Sequence, residues 1–391
     1  MLKDAPATPN NGAATKERSP VPLIDLTAQY AQVQEAIGAA MERVVTSQRF
    51  VLGAEVEVFE EAIAELVGTR FAIGCASGTD ALLLPLSILG AGGSGEVVVP
   101  AFTFFATAGA VHNAGLKPVF CDVDEATFNV DRTCLEAAWT DATIGAIPVH
   151  LFGQMAPMAE IMELANERGG WVLEDAAQAI GSSQVHEGGA KGAGAIGLAG
   201  SFSFFPTKNL GAFGDAGMIT TNDADLAKAL KEYRVHGGLQ MYRHDVVGTN
   251  SRLDALQAAV LGAKLPFLDG WTEARRRNAA AYRDGLADVS AVRLPATLEG
   301  NDHVYNQFTV RVDERDRLRE HLSACGVGTG VYYPVPLHLQ KCFEELGYRE
   351  GDLPVAERLC RQVVSLPVYS ELSREQIDSV IDAIREFYGT A

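Results

Sequence analysis

The sequence predicts an α/β protein: a mostly parallel sheet covered by helices on both faces, followed by a smaller α+β segment. Three observations carry this expectation. Between about residues 69 and 222, short apolar β-branched runs alternate with helical patterns, the rhythm that crossover units impose on a parallel sheet. From about residue 290 the pattern changes to a single strand and amphipathic helices. A chain of 391 residues with 47% hydrophobic composition can bury a large core, and its length allows two or three domains.

In chain order, "MLKDAPATPNNGAATKERSP" has no apolar signal core and reads as a disordered tail over residues 1–20. Strands are expected in "RFAIGCAS", "EVVVPAF", "KPVFCDV", "AIPVHLF", "GWVLEDAA", "GSFSFF" and "GMITT". The helix that "SGTDALLLPLSIL" would form carries Pro85 past its first turn. A proline there costs about 3 kcal/mol, so this helix is expected to be kinked or shorter than its pattern. Helical patterns follow at 223–234 and 252–286. Beyond residue 290, "HVYNQFTVRV" reads as a strand, "ERDRLREHLSACG" as a helix closed by a glycine cap, and "REQIDSVIDAIREFY" as the last helix. No internal repeat is visible.

Composition removes several function classes. A formal charge of −18, from 50 acidic and 32 basic side chains, repels phosphate backbones and anionic lipid heads, and the one basic run is Arg275-Arg276-Arg277. No nucleic-acid partner is expected. The most apolar stretch, "ALLLPLSILGAGG", is broken by proline and glycine well short of a membrane span. The six cysteines are scattered without a C-x-x-C pair, which suits the cytoplasm and points to no metal site. "GAGGSG" (Gly90, Gly92, Gly95) and "GAGAIG" (Gly192, Gly194, Gly197) match G-x-G-x-x-G, but each precedes a strand. A dinucleotide site needs the strand before it and a helix after it.

The stronger constellation lies at strand ends, where ligands bind in open α/β sheets. "SGTDAL" follows the first strand, and its Ser-Gly-Thr turn at a helix start offers free N–H groups and a helix dipole to an anion such as phosphate. It also reads as an ordinary N-cap. Asp175 ends "GWVLE", with Gln178 three residues on. A buried carboxylate there needs a cationic or hydrogen-bonding partner, unless Asp175 too is a cap. "SFSFFPTK" ends at Lys208 with Ser203 on the same strand, and Gly211, Gly214 and Gly217 follow. The aromatic run supplies the desolvation that lowers an amine's pKa. Phosphate cradle, carboxylate and amine, in that order, are what pyridoxal 5'-phosphate requires: donors for its phosphate, an anion for its ring nitrogen and an amine for its aldehyde.

With "PAFTFFATA", "DVDEATFNVD", "VHLFGQ", "LEDAAQAIG", "SFSFFPTKNL", "GDAGMI", "NSRLDALQAA" and "YYPVPLHLQ" added, the chain from "VPLIDLTAQY" onward resembles the DegT-type sugar aminotransferases. The resemblance implies the aspartate-aminotransferase fold (fold type I), with a large cofactor-binding domain over 21–270 and a linking helix plus small domain over 271–391. It also implies a homodimer with shared active sites. Lys208 would form the Schiff base and shuttle the proton, and Asp175 would pair with the pyridinium nitrogen. Gln178 would lie near the ring hydroxyl and Phe104 would stack on the ring. Gly78, Thr79 and Ser203 would hold the phosphate, which Asn250 would reach from the neighbouring subunit. Arg252 and His338 would contact the sugar nucleotide, although a helix-start arginine and a turn histidine beside Pro336 are equally ordinary readings. The implied reaction moves an amino group from an amino acid, glutamate, to a keto group of a nucleotide-linked deoxysugar, with "TNSRLD" and "YPVPLHLQ" favouring C3 over C4. The alternatives are a dehydratase of the same fold, in which histidine would replace Lys208, and a non-catalytic regulatory or sensor homologue.

Overall fold

A computed structural model describes residues 19–240 and 242–390, so all but Ser19 and Pro20 of the expected tail lies outside the described residues. Among the described residues nine strands precede residue 222: β1 (Phe71–Cys75), β2 (Glu96–Pro100), β3 (Lys117–Cys121), β4 (Thr143–Ala146), β5 (Trp171–Asp175), β6 (Ser183–His186), β7 (Gly189–Gly192), β8 (Ala199–Ser203) and β9 (Gly217–Thr221). Seven of them form one sheet in the order β1-β9-β8-β5-β4-β2-β3. All its neighbouring pairs are parallel except the two that involve β9. The carboxyl ends of β1, β2, β5 and β8 therefore share one edge, and this is what assembles the site.

Helices α1 (Leu26–Ser47), α2 (Ala54–Val67), α3 (Gly78–Leu89), α4 (Ala106–Asn113), α5 (Arg132–Ala138), α6 (Met158–Arg168), α7 (Ala224–Tyr233) and α8 (Ala255–Lys264) accompany the sheet, and α9 (Leu268–Leu286) leads away from it. The remainder contains β10 (Asn301–Asp302), β11 (Phe308–Arg311), α10 (Arg315–Ala324), α11 (Pro354–Gln362), β12 (Val363–Leu366) and α12 (Arg374–Tyr388). The apolar residues of the sheet and its helices form one core, which also takes in Leu337, Phe343 and α11. A second core joins Val21, α9, β11, α10, β12 and α12.

Several local expectations are corrected. The strand placed in "AIPVHLF" begins earlier, at Thr143, and ends at Ala146, with only a bridge from Val149 to Asp175 beyond it. Pro148 cannot donate to a ladder. The pattern over 252–286 divides at the Leu265–Phe267 turn, where Pro266 breaks the i→i−4 series. Helix α3, by contrast, runs unbroken through Pro85. Burial of Leu82, Leu84, Pro85 and Leu86 outweighs the lost hydrogen bond. Of "HVYNQFTVRV" only Phe308–Arg311 is extended. The hairpin β6–β7 was not anticipated at all.

The sheet begins at an edge strand whose outward backbone groups need partners. Gly74 of β1 donates its N–H to Glu60 Oε1 (2.7 Å) and its carbonyl accepts from Arg234 Nη1 (2.6 Å). Arg234 and Glu60 also pair directly at 2.5 Å, with their side chains about nine-tenths buried. This ion pair ties α2, β1 and the end of α7 together. Arg234→Met should lower stability by about 3–5 kcal/mol, because it leaves a buried carboxylate without its cation. The double variant Glu60→Met/Arg234→Met should recover part of that loss. Urea-denaturation midpoints of the three proteins check both statements; an Arg234→Met protein as stable as the parent would show that the pair contributes nothing.

Candidate active site

Asp175 ends β5 with its side chain buried. Its Oδ2 accepts from the Thr107 hydroxyl (2.8 Å) and its Oδ1 from the Ala177 N–H (3.2 Å). No ion pair reaches it among the described residues, and burial pushes its pKa up. The next residue back, Glu174, faces the other side of the strand, as alternation requires. There it accepts from His150 Nε2 (2.8 Å) and from the N–H groups of Gly194, Ile196 and Gly197. Burial alone would raise Glu174, but His150 and these N–H donors hold it below its ordinary value. The Ala156 N–H points at His150 Nδ1 (3.2 Å), which leaves the ring proton on Nε2 for Glu174.

Lys208 does not sit on β8, which stops at Ser203. It follows in a turn closed by its own N–H to the Phe205 carbonyl (2.9 Å). Gly211 lets this turn fold back, since a Cβ there would stand 2.3 Å from the Pro206 carbonyl oxygen. The half-buried Lys208 amine makes no hydrogen bond or ion pair with the described residues, and burial draws its pKa down to about 8 against the opposing pull of Asp175. A second lysine, Lys264 at the end of α8, is also drawn down to about 8 by burial. That amine is engaged: it donates to the Gly211 carbonyl (2.7 Å) and lies 5.1 Å over the Phe213 ring.

The N-terminus of α3 meets the end of β8. Ser77 is the N-cap, accepting from the Asp80 N–H (3.1 Å). This leaves the N–H groups of Gly78 and Thr79 without an acceptor among the described residues. A Cβ on Gly78 would fall 2.4 Å from Ser203 Cβ, so only glycine allows the helix start and the strand end to approach so closely. Both readings of the Ser-Gly-Thr turn thus hold together: a cap and two open donors.

Gln178 accepts the Phe152 N–H (2.6 Å) and donates to the Tyr333 hydroxyl (3.1 Å). Tyr333 lies 6.1 Å, centroid to centroid, from Phe104, which is 57% exposed before α4. Asn250 is exposed, while its neighbour Ser251 is bound within the same chain to Asp80 and the Ala76 N–H. Arg252 is half-buried and its guanidinium has no partner among the described residues. His338 is 1% exposed and bonded through Nε2 to Glu357 (3.2 Å), with Nδ1 covered. Thr107 and Tyr333 were missed from the sequence. Thr107 follows Phe104 at helical spacing, and Tyr333 lies within the quoted "YYPVPLHLQ", but neither carries a signal of its own.

A carboxylate without a cation and an amine without an acceptor among the described residues, two open N–H groups at a helix start and an exposed aromatic face lie at or after the carboxyl ends of β5, β8, β1 and β2 along one edge of the sheet. These are the counterparts of a protonated pyridine, an aldehyde, a phosphate and a ring face, so the residues present fit pyridoxal 5'-phosphate.

The family described as the DegT/DnrJ/EryC1/StrS aminotransferase family matches residues 31–385. A pleiotropic regulatory protein of Geobacillus stearothermophilus is 48% identical over 94% of this chain and 98% of its own. A UDP-N-acetyl-3-dehydro-alpha-D-glucosamine 3-aminotransferase of Acidithiobacillus ferrooxidans is 43% identical over 94% and 98%. Among solved structures, S. venezuelae DesV in complex with a ketimine intermediate superposes with a TM-score of 0.91 at 43% identity, covering 95% of this chain and 99% of that one. Bacillus subtilis NtdA with bound cofactor PMP gives 0.87 at 30% identity, covering 95% and 86%.

Because the neutral amine is the nucleophile, its reactivity rises as pH passes upward through its folded-state pKa. In cofactor-free protein, acylation of Lys208 by acetic anhydride should therefore follow a curve centred near pH 8, against 10.5 for an ordinary lysine. In Asp175→Asn the curve should move lower still, since the Asp175 charge holds the amine's pKa up. Peptide mass spectrometry reads both; a parental midpoint above pH 10 would mean that the amine is not desolvated.

Proposed function

The chain belongs to the DegT/DnrJ/EryC1/StrS family of pyridoxal-phosphate-dependent sugar aminotransferases, and we propose that it moves an amino group from L-glutamate to the C3 keto group of a nucleotide-linked deoxysugar. The observation that carries this reading is the pairing, at the end of β5 and in the turn after the neighbouring β8, of a buried carboxylate that lacks a cation with an amine that lacks a hydrogen bond among the described residues. C3 is favoured over C4 by the "TNSRLD" and "YPVPLHLQ" segments and by the name of the A. ferrooxidans relative.

When bound, the cofactor supplies a carbonyl that takes up the amine and a ring that withdraws electrons from the reacting carbon. The residues do the rest. Asp175, kept dry and oriented by Thr107, holds the proton on the pyridine nitrogen through a charge-assisted hydrogen bond. Lys208, with a neutral fraction near pH 7, takes and returns the proton at the reacting carbon. Gly78, Thr79 and Ser203 hold the phosphate, Phe104 covers the ring face, and Gln178, fixed by Phe152 and Tyr333, orients the ring hydroxyl. The unpartnered Arg252 suits the diphosphate of a sugar nucleotide. The exposed Asn250 suits a reach into a partner's site, which makes the working form a homodimer. Six free cysteines favour a reducing compartment, the cytoplasm, and no described helix is long and apolar enough to cross a membrane.

A non-catalytic regulatory role is the second reading, favoured by the G. stearothermophilus relative. Both readings meet one experiment. Purified protein should carry a visible absorbance band that borohydride abolishes, leaving a pyridoxyl group on Lys208, and glutamate plus a panel of nucleotide keto-sugars should give an amino sugar whose C3 substitution is read by NMR. Lys208→Ala and Asp175→Asn should each lose turnover by more than about a hundredfold while keeping the parental circular dichroism. Bound cofactor without turnover on any sugar would favour the regulatory reading.

The shared site has its own test. Inactive Lys208→Ala chains mixed with Asn250→Ala/Arg252→Ala chains should regain activity, because each mixed dimer holds one intact site. At equal amounts about half the dimers are mixed, so recovery should approach roughly a quarter of parental activity. Confirmed chain exchange without recovery would remove Asn250 from the partner's site.

A further inference from the structure

The proposed chemistry leaves one buried cation without a role. Arg275 projects from α9 and is 3% exposed. Its Nη1 donates to the carbonyl oxygens of Tyr305 (3.1 Å) and Asn306 (3.4 Å), but Nε has no partner and Nη2 makes no hydrogen bond with the described residues. Burial draws its pKa down to about 10, with Glu371 opposing from beyond ion-pair range. Asn306 beside it leaves Oδ1 unpartnered. A buried guanidinium held by carbonyls alone calls for an anion.

A cavity of about 60 Å³ adjoins this cation, with Thr207, Asn306, Gln307, Tyr332 and Leu366 also in its wall. That is room for several waters or for one small anionic group. Two of these residues are chain neighbours of site groups: Thr207 precedes Lys208 and Tyr332 precedes Tyr333. The segment that carries Asn306 is braced against the site as well. Asn209 Nδ2 donates to the Val304 carbonyl (3.0 Å), and the Gln307 N–H donates to the carbonyl of Phe152, whose own N–H bonds Gln178.

We propose that this cavity binds the α-carboxylate of the amino-acid donor, with Arg275 as its counter-ion through Nη2 and with the hydroxyls of Thr207 and Tyr332 as further donors. In an amino acid the carboxylate lies one carbon from the amine that must enter the place held by Lys208, and Thr207, the chain neighbour of Lys208, lines the cavity. The diphosphate of a sugar nucleotide stands many bonds from its keto carbon and is too large for this volume. The planar guanidinium fork matches a carboxylate. The site would thus act in the amino-acid half of the reaction and stand idle in the sugar half. This inference rests on the aminotransferase reading.

The test separates the two halves. Holoenzyme is mixed with L-glutamate alone and the change in cofactor absorbance is followed against glutamate concentration; the amine-loaded enzyme is then titrated with the keto-sugar that the parent turns over. Arg275→Gln should raise the half-saturating glutamate concentration roughly 10- to 100-fold relative to that for the sugar. Gln307→Glu, which keeps the arginine and its carbonyl contacts but adds a negative charge to the cavity wall, should shift it in the same direction and decides the matter if Arg275→Gln does not fold. Unchanged glutamate saturation, or equal weakening of both halves, overturns the carboxylate assignment and leaves the aminotransferase reading standing. A parent that responds to no amino acid overturns that reading, and the carboxylate site with it.

Discussion

Two ionisable groups that a chain would ordinarily leave in water, the Asp175 carboxylate and the Lys208 amine, are held largely out of it, one at the end of β5 and the other in the turn after the neighbouring β8. Desolvation acts on them in opposite senses, raising the acid and lowering the base, so each drifts toward neutrality. The fold tolerates this because its core supplies stability elsewhere and because Thr107 and Ala177 satisfy the carboxylate with neutral donors. Parallel strands are what make the arrangement possible, since they deliver both residues to one edge. The reversed β9 keeps the sheet continuous: it fills the place between β1 and β8, and so brings the start of α3 beside Ser203.

Much of this was legible in the sequence because buried parallel strands are short, apolar and punctuated, and because a polar residue closing such a run stands out. Asp175 after "GWVLE" and Lys208 after "SFSFFPT" are conspicuous for that reason. The β6–β7 hairpin was invisible because "SQVHEGGAKG" has no apolar alternation, its strands being largely exposed. Thr107, Tyr333 and Arg275 escaped for another reason. Each matters through a contact between segments far apart in the chain: Thr107 with Asp175, Tyr333 with Gln178, Arg275 with Tyr305 and Asn306. No local pattern encodes such contacts. Misjudged boundaries have a common cause as well: Pro85 sits where packing overrides propensity, while Pro148 and Pro266 sit where nothing does.

The two lysines drawn down to about pH 8 show how little a pKa says about a role without its surroundings. Lys208 has no hydrogen-bond partner among the described residues and so is free to react. Lys264 spends its donors on the Gly211 carbonyl, within the same turn that carries Lys208. Helix α8 therefore grips the loop that presents the reactive amine.

That grip bears on how the loop can open. A surface turn rich in glycine would normally fray by itself, on a timescale and at a free-energy cost unrelated to the rest of the chain. Here the turn cannot lift without stranding a buried ammonium, so its opening is joined to the loosening of α8 from the sheet. Its amides would then exchange with solvent as part of the same cooperative unit as that helix. The loop that must hold a reactive group steady would borrow its persistence from the core instead of from its own sequence.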